Sequence, residues 1–229
     1  MTVFKIVFTV VCFIGIASLP ASSQQAAWDS TYRPNNFSLK VGLFKSFPNA
    51  ISDIVFLGNS ITAGTDWNEQ LGIRNARNRG ISGDITFGVI ERLQEVTEGR
   101  PAKVFVLIGI NDISRNIPDI VILNNYRTIV STIRRQSPQT KIYFHTLMPV
   151  NSDFTQFKNH YNKDQHILWV NEQLRLLGIT EKFTVIDLYP KFLDADKKLD
   201  KKYTEDGLHL NAAGYALWTS ILKQGGYLN

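Results

Sequence analysis

Ile54-Val55-Phe56-Leu57-Gly58-Asn59-Ser60-Ile61-Thr62 is the stretch from which the rest of the chain can be read. Four apolar residues follow one another without polar alternation, which marks a strand covered on both faces. A glycine then lets the backbone turn, and Asn59-Ser60 sits where a helix would begin. Comparable apolar runs recur at Val104–Ile108, Ile142–Phe144 and Phe183–Leu188, and Asn78–Ile81 reads as a shorter strand. Between them, Ile85–Thr97, Ile120–Gln136 and Ile167–Leu177 carry apolar residues at three- and four-residue spacing, as in Ile120, Leu123, Ile129 and Ile133. A last helical segment spans Ala212–Leu222. Strands alternating with helices predict right-handed crossovers. The expected fold is α/β, a three-layer α/β/α sandwich around a central, mostly parallel five-stranded sheet.

The chain ahead of this pattern differs in character. Lys5 and the amino terminus are followed by an apolar run from Ile6 to Leu19, then by Pro20-Ala21-Ser22-Ser23. That order of charge, apolar run and small residues is expected of a secretory signal peptide over residues 1–23, cut after Ser23. The run is shorter than the ~20 residues a membrane span requires. An uncleaved anchor is the alternative. A lipid anchor on Cys12 has the wrong order, because much of the apolar run follows that cysteine. Residues 24–50 read as a polar N-terminal arm lying across a domain of residues 51–229.

Cys12 is the only cysteine of the 229 residues, so a chain cut after Ser23 has no disulfide, thiolate ligand or cysteine nucleophile. A secreted protein without cysteine points to a bacterial source, periplasmic or extracellular. The formal charge of +5 falls to +4 with the loss of Lys5. The one dense cluster, Lys197-Lys198 and Lys201-Lys202, is interleaved with Asp194, Asp196 and Asp200. A solvated loop accounts for it better than a nucleic-acid site does. The expectation is therefore no nucleic-acid partner and no membrane span.

In a parallel sheet, ligands bind beyond the carboxyl ends of the strands. Four segments fall there. Ser60 follows the first run, although a serine at that point is also a common helix cap, the stronger explanation if it stood alone. Asn78-Arg79-Gly80-Ile81-Ser82-Gly83-Asp84 has glycines spaced for a tight turn. Gly109-Ile110-Asn111-Asp112 follows another strand, where an amide can either donate to a developing oxyanion or fix a loop. In Asp206-Gly207-Leu208-His209 a carboxylate precedes a histidine by three residues, so it can select the ring tautomer and leave the other nitrogen as a base. His145, His160 and His166 have no acid at comparable spacing, and His145 lies within a strand. Together the four segments follow the chain order of a Ser…Asp…His enzyme.

These blocks resemble the SGNH (GDSL-type) hydrolases, and all four occur in order across residues 54–211. The resemblance implies a flavodoxin-like SGNH hydrolase fold and a serine esterase with no cofactor and no metal. It makes Ser60 the nucleophile, His209 the base and Asp206 the residue orienting it. The Ser60 and Gly83 N–H groups and the Asn111 side chain would form the oxyanion hole. One departure is visible: the family's aspartate before the serine is Asn59 here. The chain looks most like bacterial carbohydrate acetylesterases, sialate O-acetylesterases among them, and the platelet-activating-factor acetylhydrolase-like branch. An acetyl ester, on a small molecule or a glycan, is the expected substrate. A lipid-directed esterase and a non-catalytic glycan-binding protein are the alternatives. Trp67 and Phe154 are candidate substrate contacts. The aromatics of residues 151–165 can stack on a sugar or simply pack the loop. No oligomeric state is implied.

Overall fold

The computed structural model describes Met1 and residues 28–229. The expected signal segment lies outside the described residues. Five strands form one sheet: β1 (Ile54–Gly58), β2 (Ala76–Gly80), β3 (Lys103–Leu107), β4 (Lys141–His145) and β5 (Thr184–Ile186). Their order is β2-β1-β3-β4-β5 and every pairing is parallel, so the sheet is wholly parallel. All residues of β1 and β3 are buried, as the apolar runs Ile54–Leu57 and Val104–Leu107 predict, with Lys103 buried besides. The chain leaves β1 toward β2 on one side and reaches β3 on the other. The order therefore reverses between β1 and β3, and a crevice opens beyond their carboxyl ends.

The helices form the two outer layers. On one face lie α2 (Ser60–Ala63), α3 (Trp67–Leu71) and α9 (Ala212–Gln224); on the other lie α4 (Thr86–Glu91), α5 (Leu93–Thr97), α7 (Asp119–Gln136) and α8 (Asp164–Thr180). The short α6 (Ile110–Ser114) follows β3 directly. In α7 the buried stripe includes Leu123, Ile129 and Ile133, whereas Ile120, expected on the same face, is exposed in the first turn.

Two local expectations are corrected. The stretch Ile85–Thr97 is two helices, interrupted at Arg92, whose side chain is wholly buried. The arm contains a helix, α1 (Phe37–Ser46), with Phe37 and Phe44 packed on Ile81 and the Phe44 ring beneath Arg79. Its hydrophobic residues mix with polar ones because only two aromatic rings reach the core.

Arg92 is the centre of a buried ion-pair cluster. Its guanidinium pairs with Asp84 at 3.0 Å and Glu95 at 3.5 Å, and donates to the Gly58 and Arg79 carbonyls. Glu95 also receives Arg79 at 3.1 Å. Burial pushes the Asp84 and Glu95 carboxyls up, and the arginines pull them back. The cluster joins the ends of β1 and β2, the two strands leading to Ser60 and Gly83.

Candidate active site

The end of β1 places Ser60 at the first turn of α2. Asn59 caps that turn, its Oδ1 accepting the Ile61 N–H at 3.0 Å. Trp67 is 1% exposed and stacks on Phe56 with ring centroids 3.9 Å apart. Its indole N–H donates to the Thr62 carbonyl at 3.0 Å. Trp67 therefore braces the serine turn from behind as a core residue, and the expectation of a substrate contact there is corrected. Asn78 holds the other end of that turn through bonds to the Thr62, Ala63 and Thr65 carbonyls.

A loop after the 3₁₀ turn Lys201–Tyr203 brings the C-terminal pair across the crevice. Asp206 Oδ1 accepts the Leu208 and His209 N–H groups at 2.9 and 2.8 Å, while Oδ2 lies 2.8 Å from His209 Nδ1. With Nδ1–H donating to the carboxylate, Nε2 is the ring's acceptor, and the Ser60 hydroxyl lies 2.9 Å from it. Burial pushes the Asp206 carboxyl up, but the bonds from His209 and Leu208 outweigh it and hold it below the usual range. Gly207, at φ +77°, makes the turn between the two residues. A side chain there would meet the Asn151 carbonyl and the Phe154 ring.

Facing Ser60 are the two other strand ends. Gly83 adopts φ +81°, a left-handed conformation in which glycine carries no strain. Asn111 Nδ2 donates to the Asp84 carbonyl at 2.9 Å. That carbonyl can only accept, so the amide nitrogen faces it and Oδ1 faces away, toward His160 Nε2 at 2.9 Å. His160 must then carry its proton on Nε2. Its Nδ1 is buried without a partner among the described residues. Burial lowers the imidazole to about 4, with repulsion from His209 and Arg115 adding to it, so the ring is neutral near pH 7.

Ser60, Gly83, Asn111, His160 and His209 line one open cleft of about 370 Å³, together with Ser82, Ser114, Arg115, Phe157 and Leu208. Phe157 packs edge-on against both His160 and His209. Phe154 does not line this cleft; it packs against Gly207, and the aromatic ring at the cleft is that of Phe157. The structure thus gathers Ser60, Gly83, Asn111, Asp206 and His209 and leaves Trp67 and Phe154 aside. Sequence reasoning missed His160 as a member of the site. Its partner is an asparagine 49 positions away, so local acid spacing holds no signal for it.

Among the described residues no helix is long and apolar enough to cross a membrane. The lysine cluster is tied locally, with Lys198 and Lys201 on Asp153 and Lys202 on Asp200.

Residues 56–217 match the model of the GDSL-like lipase/acylhydrolase family. The chain belongs to that family. It is a carboxylic ester hydrolase with the α/β fold such enzymes share. A Streptococcus pneumonia protein described as a platelet activating factor is 28% identical at a TM-score of 0.75, over 85% of this chain and 92% of that one. A Bacteroides fragilis acylhydrolase structure is 23% identical with a TM-score of 0.75, covering 86% of this chain and 100% of that one. An acetyl xylan esterase is 20% identical with a TM-score of 0.64, over 76% and 98% of the two chains. At those last two identities the likeness speaks for fold alone. No curated protein matches the chain significantly in sequence.

Proposed function

We propose that this GDSL-type hydrolase is a secreted serine esterase that removes acetyl groups, chiefly O-acetyl groups on carbohydrates, through an acyl-enzyme. The observation that carries the reading is the unbroken line Asp206–His209–Ser60, with contacts of 2.8 and 2.9 Å, ending in a cleft opposite Gly83 and Asn111. His209 takes the Ser60 proton as the oxygen attacks the ester carbonyl. Charge then develops on the carbonyl oxygen. The Ser60 and Gly83 N–H groups and the second Nδ2 hydrogen of Asn111 are the donors for it, each worth ~10²–10³ in turnover in comparable enzymes. The protonated His209 next protonates the departing alcohol, and water resolves the acyl-serine with His209 again as base.

Two features favour a short acyl group. The cleft is open, and the apolar space behind it, lined by Leu107, Ile110, Leu147 and Leu208, is about 10 Å³. That is roughly the room of one water, so no deep acyl tunnel opens on that side. The aromatic Phe157 beside His209 suits a sugar ring. Secretion rests on the signal-like residues 1–23.

The test is acetate release from acetylated xylan, pectin and sialic acid, with an ester ladder from two to ten carbons. Fluorophosphonate labelling is followed in parallel. The expected result is acetyl preference, with release and labelling both lost in Ser60→Ala while circular dichroism is unchanged. Wild-type turnover in Ser60→Ala overturns the mechanism, and a preference for eight carbons or more overturns the substrate class in favour of lipid.

A further inference from the structure

The cleft carries a cation that the hydrolytic chemistry does not use. Arg115 follows α6, is exposed, and lines the cleft beside Ser114. Its guanidinium carbon lies over the Tyr32 ring, 3.1 Å from the ring centre, so the cation sits on the aromatic face. The arm that supplies Tyr32 is itself fixed close by. Tyr32 and Pro34 flank Gly83, and Arg33 pairs with Glu91.

Stacking takes up the face of a guanidinium and leaves its N–H donors free around the edge. Among the described residues none of those donors has a hydrogen-bond partner, and no carboxylate lies within 4 Å. Residues 2–27 contain no Asp or Glu that could supply one. Asp29 is close enough to feel the charge, but its Oδ1 accepts the Thr31 N–H and hydroxyl at 2.7 and 2.6 Å, and neither oxygen comes within ion-pair distance of the guanidinium. Ser82, exposed in the same cleft, adds a hydroxyl without a partner among the described residues. No carboxylate lines the cleft.

We propose that Arg115, held over the Tyr32 ring, is a subsite for a planar oxyanion on the alcohol portion of the ester, so that the enzyme prefers O-acetylated acidic sugars bearing a carboxylate. This rests on the esterase reading above. The acetyl group is too small to carry the charge, which assigns the anion to the leaving alcohol. A guanidinium fork matches the two oxygens of a carboxylate in one plane. Because Tyr32 holds it in place, little side-chain freedom remains to be lost on binding.

The experiment compares acetate release from mono-O-acetylated glucuronate with that from the matching glucuronamide, which differs only in charge. An acetylated glucose 6-sulfate arm separates carboxylate from other oxyanions. The wild type is expected to favour the glucuronate through a lower KM, and this preference shrinks in high salt. Arg115→Gln is expected to cut the glucuronate-to-glucuronamide ratio of kcat/KM by roughly 10- to 100-fold, the range of a lost charged hydrogen bond. Arg115→Lys retains part of the ratio, and Tyr32→Phe retains more of it than Tyr32→Ala. Hydrolysis of both substrates at a ratio that Arg115→Gln leaves unchanged overturns the subsite alone. A sulfate preference overturns the assignment to carboxylate. Hydrolysis of none of the three sugars overturns the acetylesterase reading with it.

Discussion

His160 Nε2 lies 2.9 Å from Asn111 Oδ1, and this bond orients an amide that belongs to the cleft lining. Asn111 has two tethers, the Asp84 carbonyl on Nδ2 and His160 on Oδ1. With one removed, the amide can rotate and present oxygen to a developing oxyanion. His160→Ala is therefore expected to lower kcat by ~10-fold or more, up to the ~10²–10³ of losing the oxyanion donor outright. KM should stay nearly constant. His160→Gln, which keeps a donor toward Oδ1, should recover part of kcat. Steady-state kinetics on an acetyl ester measures both. Equal losses in the two variants would assign His160 to packing alone.

The Arg92 cluster predicts a contrast between buried and exposed ion pairs. Arg92→Met leaves Asp84 buried without its paired arginine, while Glu95 keeps Arg79, at a cost of about 3–5 kcal/mol. Breaking the exposed Arg134–Glu181 pair with Arg134→Met should cost about 0–1 kcal/mol. Urea midpoints of the two variants give the comparison. Similar midpoints would show that the Arg92 cluster is hydrated.

Much of this was legible because parallel sheets write their burial plainly. Ile54–Leu57 and Val104–Leu107 are apolar on both faces, and the catalytic candidates follow such runs directly. Asp206 and His209 can be paired from their local spacing, whereas the roles of Ser60, Gly83 and Asn111 come from the family resemblance of segments that each follow a strand end. Trp67 was misjudged because a tryptophan near a nucleophile reads the same whether it faces the cleft or the core. Its stacking on Phe56 decides the matter, and that contact exists only in three dimensions. The same holds for His160 and Arg115, whose partners Asn111 and Tyr32 lie far away in sequence. The break at Arg92 left no helix-breaking residue to read. It follows from seating one guanidinium among four groups.

One buried histidine, His145, and one half-buried, His160, predict a loss of stability on mild acidification. Burial lowers His145 to about 3 and His160 to about 4, whereas an unfolded histidine titrates near ~6.5. As pH falls below ~6.5 the unfolded chain takes up these protons and the folded chain does not. Each site then destabilises the fold by up to about 1.4 kcal/mol per pH unit. Asp112 acts in reverse. Burial raises it to about 7, so the folded chain takes its proton first and gains stability as pH falls through that value. Asp84 and Glu95, also raised, share that sign and are common to the variants compared. Between pH 6.5 and 4.5, urea midpoints of His160→Gln should fall less steeply than wild type, and those of Asp112→Asn more steeply. Parallel slopes in all three would mean that these side chains titrate as they do in the unfolded chain.

Asn59 is 1% exposed and stands where the family has aspartate. Its Oδ1 caps Ile61, but Nδ2 is buried without a partner among the described residues, beside the 10 Å³ space lined by Leu107, Leu147 and Met148. Asn59→Asp would keep the cap and put a second, charged oxygen in the same apolar corner, where water has scarcely room to follow. The expected cost is about 1–3 kcal/mol at pH 8, shrinking toward pH 5 as protonation of the carboxyl relieves the buried charge. Turnover should stay within a few-fold of wild type, because the Ile61 bond that seats Ser60 survives. Urea denaturation at the two pH values, with kcat at pH 8, tests this. Greater stability of Asn59→Asp at pH 8 would place a hydrogen-bond donor opposite the second oxygen and make asparagine the poorer fit.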